Sequence, residues 1–189
     1  MKFKARRSLI FGLAVLSLMA SAAAAGAAAA EHADQFTGNL INIQASAHFS
    51  QPFILGIDHY ATNAELQQLA TVLTSKSRYA AREALWKKTS GFLSIGGRLG
   101  YPVAEVFAFD TPTGRTLYAV IDRPMRTFEV QYGTRSSRYP FSVVELNVDR
   151  SGRGDGTLIA AAQLRVRDDK LEVVSLGVQP FRLLKVQPG

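Results

Sequence analysis

The chain of 189 residues contains no cysteine. This absence excludes disulfides, a cysteine nucleophile, thiolate ligands for zinc and a thiol for lipid attachment. An exported chain without disulfides must be stabilised by its hydrophobic core. The 159 residues that follow residue 30 (189 − 30) can bury ~70% of the surface of the unfolded chain, which suffices for one unaided domain.

Residues 1–30 lack a hydrophobic run long enough to span a bilayer. They combine a basic start, MKFKARR, with an apolar stretch of roughly a dozen residues, shorter than the ~20 of a transmembrane helix, and an alanine-rich tail. This pattern is typical of a cleaved signal peptide, so we expect a periplasmic or secreted protein. Cleavage is expected after Ala30, with bonds near Ala25 or Ala23 as alternatives. Arg6-Arg7 leaves twin-arginine export open beside the Sec route.

Acidic residues are fewer than basic ones, 15 against 22. Residues 1–30 contain four of the basic residues and no acidic one, so residues 31–189 carry 18 basic (22 − 4) and 15 acidic side chains, a net charge of +3. A surplus this small does not indicate nucleic acid as a partner. No linker or repeat interrupts residues 31–189, so we expect a single β-rich α+β domain.

Short runs of β-branched and aromatic residues, bounded by turn sequences, predict strands. The predicted strands cover residues 36–49, 53–60, 101–110, 115–122, 141–149, 157–167, 171–176 and 181–186. Short turns between them require antiparallel neighbours. The predicted fold class is α+β: a curved antiparallel sheet or partial β-barrel of seven or eight strands, with two short helices after the first hairpin.

The two helices are predicted from capping and periodicity. Thr62-Asn63-Ala64-Glu65 has the pattern of a capping box, and leucines and alanines follow at helical spacing, which predicts a helix over 63–73. A second helix is predicted over 80–88, with Ser77 as its cap and Ala81, Ala84 and Leu85 facing inward. We interpret Trp86 as an anchor of this helix.

The stretch NVDRSGRGDGTL, residues 147–158, admits three interpretations. An EF-hand calcium loop that starts at Asp149 would have Arg153 and Ala160 at ligand positions 5 and 12, so that interpretation fails. An unusual ion site and adhesion through Arg153-Gly154-Asp155 remain as alternatives. The favoured interpretation is a turn between two strands, with its three glycines at positive φ. These glycines are Gly152, Gly154 and Gly156.

The three histidines, His32, His48 and His59, suggest a zinc site only at first sight. A hairpin that turns at Gln51 separates His48 and His59 by ~17 Å, so we predict neither a metal nor a cofactor. A hydrolase remains an alternative, with His59 and Asp58 as general-base candidates next to a serine or threonine. The chain has no Gly-x-Ser-x-Gly motif to support it.

Arginines and aromatic residues are concentrated in residues 122–141, which we call the arginine segment. Arginine matches carboxylate and phosphate, and aromatic rings can stack on a ligand, so the segment is a candidate groove for an anionic ligand. The alternative is that Asp122 and Glu129 pair with neighbouring arginines and hold a long connection in place. The candidate ligand-binding residues are Arg123, Arg126, Arg135, Arg138 and Tyr139.

Several short elements in one order resemble a group of uncharacterised exported bacterial proteins. These elements are Leu99-Gly100-Tyr101, Asp122-Arg123-Pro124, Tyr139-Pro140-Phe141-Ser142 with Glu145-Leu146, the glycine-rich residues 149–156 and Pro180-Phe181-Arg182-Leu183. Ile121 stands where the group has Thr, and Arg153-Gly154-Asp155-Gly156 replaces Lys-Gly-Glu-Gly. The resemblance implies an exported location and a similar architecture, and it implies no catalytic residue.

The sequence therefore favours an exported, non-enzymatic binding module for a small or extended anionic ligand or an envelope protein partner. Nucleic acid is not expected as a partner, nor a membrane span after cleavage. A hydrolase with an unrecognised polar site and an envelope assembly factor remain alternatives.

Overall fold

The computed structural model describes residues 33–42, 49–75, 78–125, 139–175 and 180–189. Ten strands and two helices lie in these ranges, and Glu31–Gly189 is one compact unit. In chain order the elements are β1 (Asp34–Asn42), β2 (Phe49–Ile57), α1 (Asn63–Ser75), α2 (Arg78–Trp86), β3 (Gly91–Ile95), β4 (Tyr101–Val103), β5 (Glu105–Thr111), β6 (Gly114–Ile121), β7 (Phe141–Asp149), β8 (Gly154–Arg167), β9 (Lys170–Ser175) and β10 (Phe181–Pro188).

All strand pairs are antiparallel, in the order β4-β3-β2-β1-β10-β8-β7-β6-β5, with β9 paired to β8. The two strands at the ends of this order, β4 and β5, are separated in the chain by Ala104 alone. Ala104 donates its amide to the Val120 carbonyl at 2.8 Å. The sheet therefore curls into a nearly closed barrel, and the predicted α+β class with a curved antiparallel sheet is confirmed.

The strand number differs from the prediction, ten against seven or eight. Residues 101–110 form two strands because Ala104 bonds across to β6. The short strand β3, Gly91–Ile95, was not among the predicted strands. Residues 50–52 were expected in a turn but lie inside β2, where Pro52 pairs with Asn39. The expected turn at Gln51 was wrong, and the β1–β2 connection falls at 43–48, outside the described residues.

Residues 58–61, which we call the closing segment, lie between the end of β2 and the free edge of β5. Asp58 donates its amide to the Ser90 carbonyl at 2.8 Å, and Ala61 donates to the Val106 carbonyl at 2.7 Å. Neighbouring residues of the closing segment contact different parts of the domain: Tyr60 contacts the core inside the barrel, and His59 contacts Ser90.

Two hydrophobic clusters fill the described part of the domain. The inner cluster lies inside the barrel and includes Phe36, Leu55, Leu117, Leu146 and Leu183, each at most 2% exposed. The outer cluster packs both helices and the end of β8 against the other face of the sheet, with Leu66, Leu69, Leu85, Phe107 and Leu164 among its members. A register shift between Phe141 and Val143 lets β8, a strand of 14 residues, bend between β10 and β9.

The predicted capping box of α1 is confirmed. The Thr62 amide donates to Glu65 Oε2 at 2.8 Å, and the Glu65 amide donates to Thr62 Oγ1 at 3.3 Å. Helix α2 runs over Arg78–Trp86, with Ala81 and Leu85 buried as predicted. Ala84 is exposed, so its expected inward position was wrong. Trp86, interpreted as an anchor of the helix, is 60% exposed. Ser77 lies outside the described residues.

The turn interpretation of residues 147–158 is confirmed, but only one of its glycines needs a positive φ. Gly152 has φ 77°, whereas Gly154 and Gly156 belong to β8. Asp149 Oδ1 accepts hydrogen bonds from the Ser151 amide, the Ser151 hydroxyl and the Arg153 amide at 2.6–3.0 Å, as in an Asx turn. A hydrogen bond from the Ser151 side chain, then one from the Arg153 backbone, lower the pKa of the Asp149 carboxyl.

Gly156→Ala should lower the free energy of unfolding by about 1–3 kcal/mol. A Cβ atom at this position would lie 2.1 Å from the carbonyl oxygen of Glu145, so the β7–β8 pair would have to move apart. Gly97→Ala is a control for the general cost of losing glycine, since it has a positive φ and open space around its Cβ position. Urea unfolding of both variants tests this; a loss at position 156 no larger than the loss at position 97 would show that the close approach of β7 and β8 does not limit position 156.

Candidate functional site

The structure describes only part of the predicted arginine site. Arg123 is exposed and Tyr139 is half-buried, while Arg126, Arg135 and Arg138 lie outside the described residues. The carbonyl of Arg123 accepts a hydrogen bond from Ser142 Oγ at 3.0 Å. The anionic groove proposed for these residues therefore stays a prediction.

His59 lies beside a serine, as the hydrolase alternative requires. Its Nε2 is 3.0 Å from Ser90 Oγ, which also donates to the Ala104 carbonyl at 2.9 Å. A hydroxyl has one proton, so a Ser90 side chain that donates to Ala104 can only accept from His59. Ser90 is also fully buried. The pair links the closing segment to the residue before β3.

The three histidines, which were considered as zinc ligands and predicted not to form a metal site, lie only in part within the described residues. His32 and His48 lie outside the described residues, and His59 is exposed. In the ranges that the structure covers, no three histidine, aspartate or glutamate side chains are grouped to hold a metal ion.

A buried carboxylate lies near the Ser90–His59 pair. The Glu105 side chain, 3% exposed, accepts a hydrogen bond from the Lys88 ammonium, which also lies 3.3 Å from Glu65 Oε1. Burial raises the pKa of Glu105 and outweighs the attraction of Lys88. Burial alone lowers the pKa of Lys88, but Glu105 and then Glu65 reverse this effect and raise it. We call Glu65, Lys88 and Glu105 the Lys88 triad; only Glu105 in it is buried.

A second polar cluster forms around Tyr60, the closing-segment residue that packs against the inner cluster. Arg115 is the second residue of β6, and its Nη2 donates to Asp34 Oδ2 at 2.8 Å. Its Cζ lies 5.8 Å from the ring centre of Phe36 and 5.4 Å from that of Tyr60. Tyr60 donates its hydroxyl to the same Asp34 oxygen. We call Asp34, Phe36, Tyr60 and Arg115 the Arg115 cluster.

The Tyr60 phenol keeps its proton over the physiological pH range. Burial and then the hydrogen bond to Asp34 raise the pKa of Tyr60, and the charge of Arg115 only partly opposes them. The cluster therefore presents an arginine whose position is set by two aromatic rings and one carboxylate.

Arg115 lines two neighbouring clefts at this end of the barrel, each of about 400 Å³. The first, which we call the Arg115 cleft, lies between the β5–β6 and β7–β8 turns. It is lined by Asp110, Thr111, Gly114, Arg115, Asp149, Arg150 and Gly152. A third groove, of about 410 Å³, lies at the β8–β9 turn against Tyr118 and Glu145. Arg115 was not predicted as a site residue, because its partner Asp34 is 81 residues away in the chain.

The fold and the cleft define a small antiparallel β-barrel with a polar cleft at one end. No protein-family model, curated protein or solved structure matches the chain. Where the structure describes helices, neither has the length and apolar composition needed to cross a membrane.

Proposed function

We propose that the protein is an exported, non-enzymatic binding module for a small ligand that carries a carboxylate or phosphate group. The mature domain acts in the periplasm or outside the cell, and Arg115 is the residue that meets the anionic group. The observation that carries the proposal is the fixed position of Arg115 between Phe36 and Tyr60, at the wall of a cleft of about 400 Å³.

A pre-positioned guanidinium favours binding for an entropic reason. A free arginine side chain loses about 2 kcal/mol of rotamer entropy when it is immobilised. Two ring contacts and the bond to Asp34 hold Arg115 before a ligand arrives, so little of this cost remains. Its planar fork matches a carboxylate or phosphate.

Binding without turnover fits the protonation of Asp149, which lines the cleft, and of Tyr60, which contacts Arg115. A general acid or base works best with a pKa near the working pH. The pKa of Tyr60 is raised and that of Asp149 is lowered, which moves both away from neutrality. Ser90 is fully buried and does not line the Arg115 cleft. These features favour a binding role over hydrolysis.

Native mass spectrometry of the mature protein, purified from the periplasm of its own host, tests the proposal. We expect a small molecule on the wild-type protein and on Arg98→Met, a control at an exposed arginine of the β3–β4 turn. Arg115→Met should lose it, because the anionic group loses its partner. Thermal melting shows whether Arg115→Met is folded.

The Arg135→Ala/Arg138→Ala double variant separates the two candidate sites. Retention of the ligand by the double variant, together with its loss in Arg115→Met, supports the Arg115 cleft. The opposite pattern moves the site to the arginine segment. A ligand-free wild-type monomer contradicts small-ligand binding and favours a protein partner.

A further inference from the structure

The Arg115 cleft holds charges of both signs. Among its lining side chains, Arg115 and Arg150 are basic, and Asp110 and Asp149 are acidic. Asp34, which binds Arg115, adds a further negative charge at its margin. A polyanion would be repelled by the acidic side chains and a simple cation by the arginines. The cleft therefore suits a ligand with one charge of each sign.

One acidic and one basic side chain of the cleft lie next to each other on neighbouring strands. Asp110 and Arg115 are direct partners in the β5–β6 register, so their side chains leave the same face of the sheet. The Cβ atoms of such partners are about 4.5–5.5 Å apart. Asp110 is exposed, and no hydrogen bond or ion pair joins its carboxylate to another residue in the described ranges. Asp149, by contrast, uses Oδ1 to hold its own turn.

Because the charges of Asp110 and Arg115 are adjacent, they favour a ligand whose own two charges are adjacent. In an α-amino acid the ammonium and carboxylate groups are attached to one carbon, whereas the termini of an extended peptide separate by ~3.3–3.6 Å with each residue. We propose that the ligand is a free α-amino acid, with its carboxylate on Arg115 and its ammonium on Asp110. This assignment rests on the proposed function of the Arg115 cleft.

The test uses three probe mixtures on the mature protein: the standard amino acids, their N-acetyl derivatives and their amides. Binding is read by native mass spectrometry and by the rise in melting temperature. N-acetylation removes the ammonium charge and amidation removes the carboxylate. We expect adducts with free amino acids and affinities lower by about tenfold or more for both derivatives.

Single substitutions test which side chain binds the ammonium group and which binds the carboxylate. Asp110→Asn should weaken free amino acids about tenfold and leave N-acetyl derivatives unchanged, because only the ammonium contact is lost. Arg115→Met should remove binding of both. Asp168→Asn in the β8–β9 turn is the control and should bind as the wild type does, since it changes an exposed aspartate outside the Arg115 cleft.

The outcomes separate this proposal from the one on which it rests. Equal binding of free and N-acetylated amino acids, or an Arg115-dependent natural ligand without an ammonium group, overturns the amino-acid assignment and leaves the proposed function intact. If no probe binds while a natural ligand still depends on Arg115, the amino-acid assignment is again overturned and the proposed function stays. If Arg115→Met keeps all ligands, both proposals fail.

Discussion

Lys88→Met should lower the free energy of unfolding by about 2–4 kcal/mol at neutral pH. The substitution leaves the Glu105 carboxylate, 3% exposed, without its counter-charge and close to Glu65. Removal of one partner of a fully buried pair costs about 3–5 kcal/mol, and the lower range applies because the Lys88 side chain is 34% exposed. Urea unfolding measures the loss. Lys87→Met, at an exposed neighbour, controls for the loss of a lysine.

The destabilisation should shrink as the pH falls. A carboxyl group whose folded pKa lies above its unfolded value destabilises the folded state at neutral pH, and this cost is relieved as the pH drops through the folded pKa. Burial raises the pKa of Glu105 above 4.5, so the relief should begin above pH 4.5. The charge of Lys88 lowers the pKa of Glu105, so in Lys88→Met this pKa should be higher. The recovery of stability should therefore begin at a higher pH in the variant than in the wild type.

A second substitution shows whether the cost comes from the unpaired carboxylate. Glu105→Leu added to Lys88→Met removes the charge, and apolar replacement of a buried ion pair is often neutral or stabilising. We expect the double variant to recover most of the lost stability. If Lys88→Met is as stable as Lys87→Met, or if the double variant is no more stable than Lys88→Met, the Lys88 triad does not stabilise the fold as described.

Met125→Ala should cost about 2–5 kcal/mol, the range for removal of a large side chain from a core. Met125 is 1% exposed in the inner cluster, and its amide donates to the Ala160 carbonyl at 3.4 Å. It is the last described residue before 126–138, where three of the predicted ligand-binding arginines lie. Met125 thus attaches the start of that connection to the barrel.

Met125→Leu, which keeps the volume, should cost less than ~1.5 kcal/mol. Thermal and urea unfolding of both variants measure the difference. Similar, small losses for Ala and Leu would show that position 125 does not contribute to the core. If Met125→Ala also keeps the native ligand of the folded protein, the ligand does not depend on the attachment of the arginine segment.

Much of the local structure could be predicted because its signals lie close together in the chain. The capping box joins Thr62 and Glu65, three positions apart, and the strand over 141–149 alternates between the two clusters within nine residues. The glycine-rich turn was also predicted from residues close together in the chain. The reason why positions 154 and 156 require glycine was not predicted. Their Cβ positions are blocked by the carbonyls of Asn147 and Glu145 on β7, which are visible only once β7 and β8 are paired.

The sequence by itself determined an antiparallel, β-rich domain with two short helices, since hydrophobic periodicity and turn chemistry act between near neighbours. Tertiary structure alone decided the register of the first hairpin, the closing of the barrel at Ala104 and the polar clusters. Arg115 meets Asp34 across 81 residues, His59 meets Ser90 across 31 and Lys88 meets Glu105 across 17. Such encounters depend on which strands become neighbours and in which register, and side chains distant in the chain carry no local signal of either.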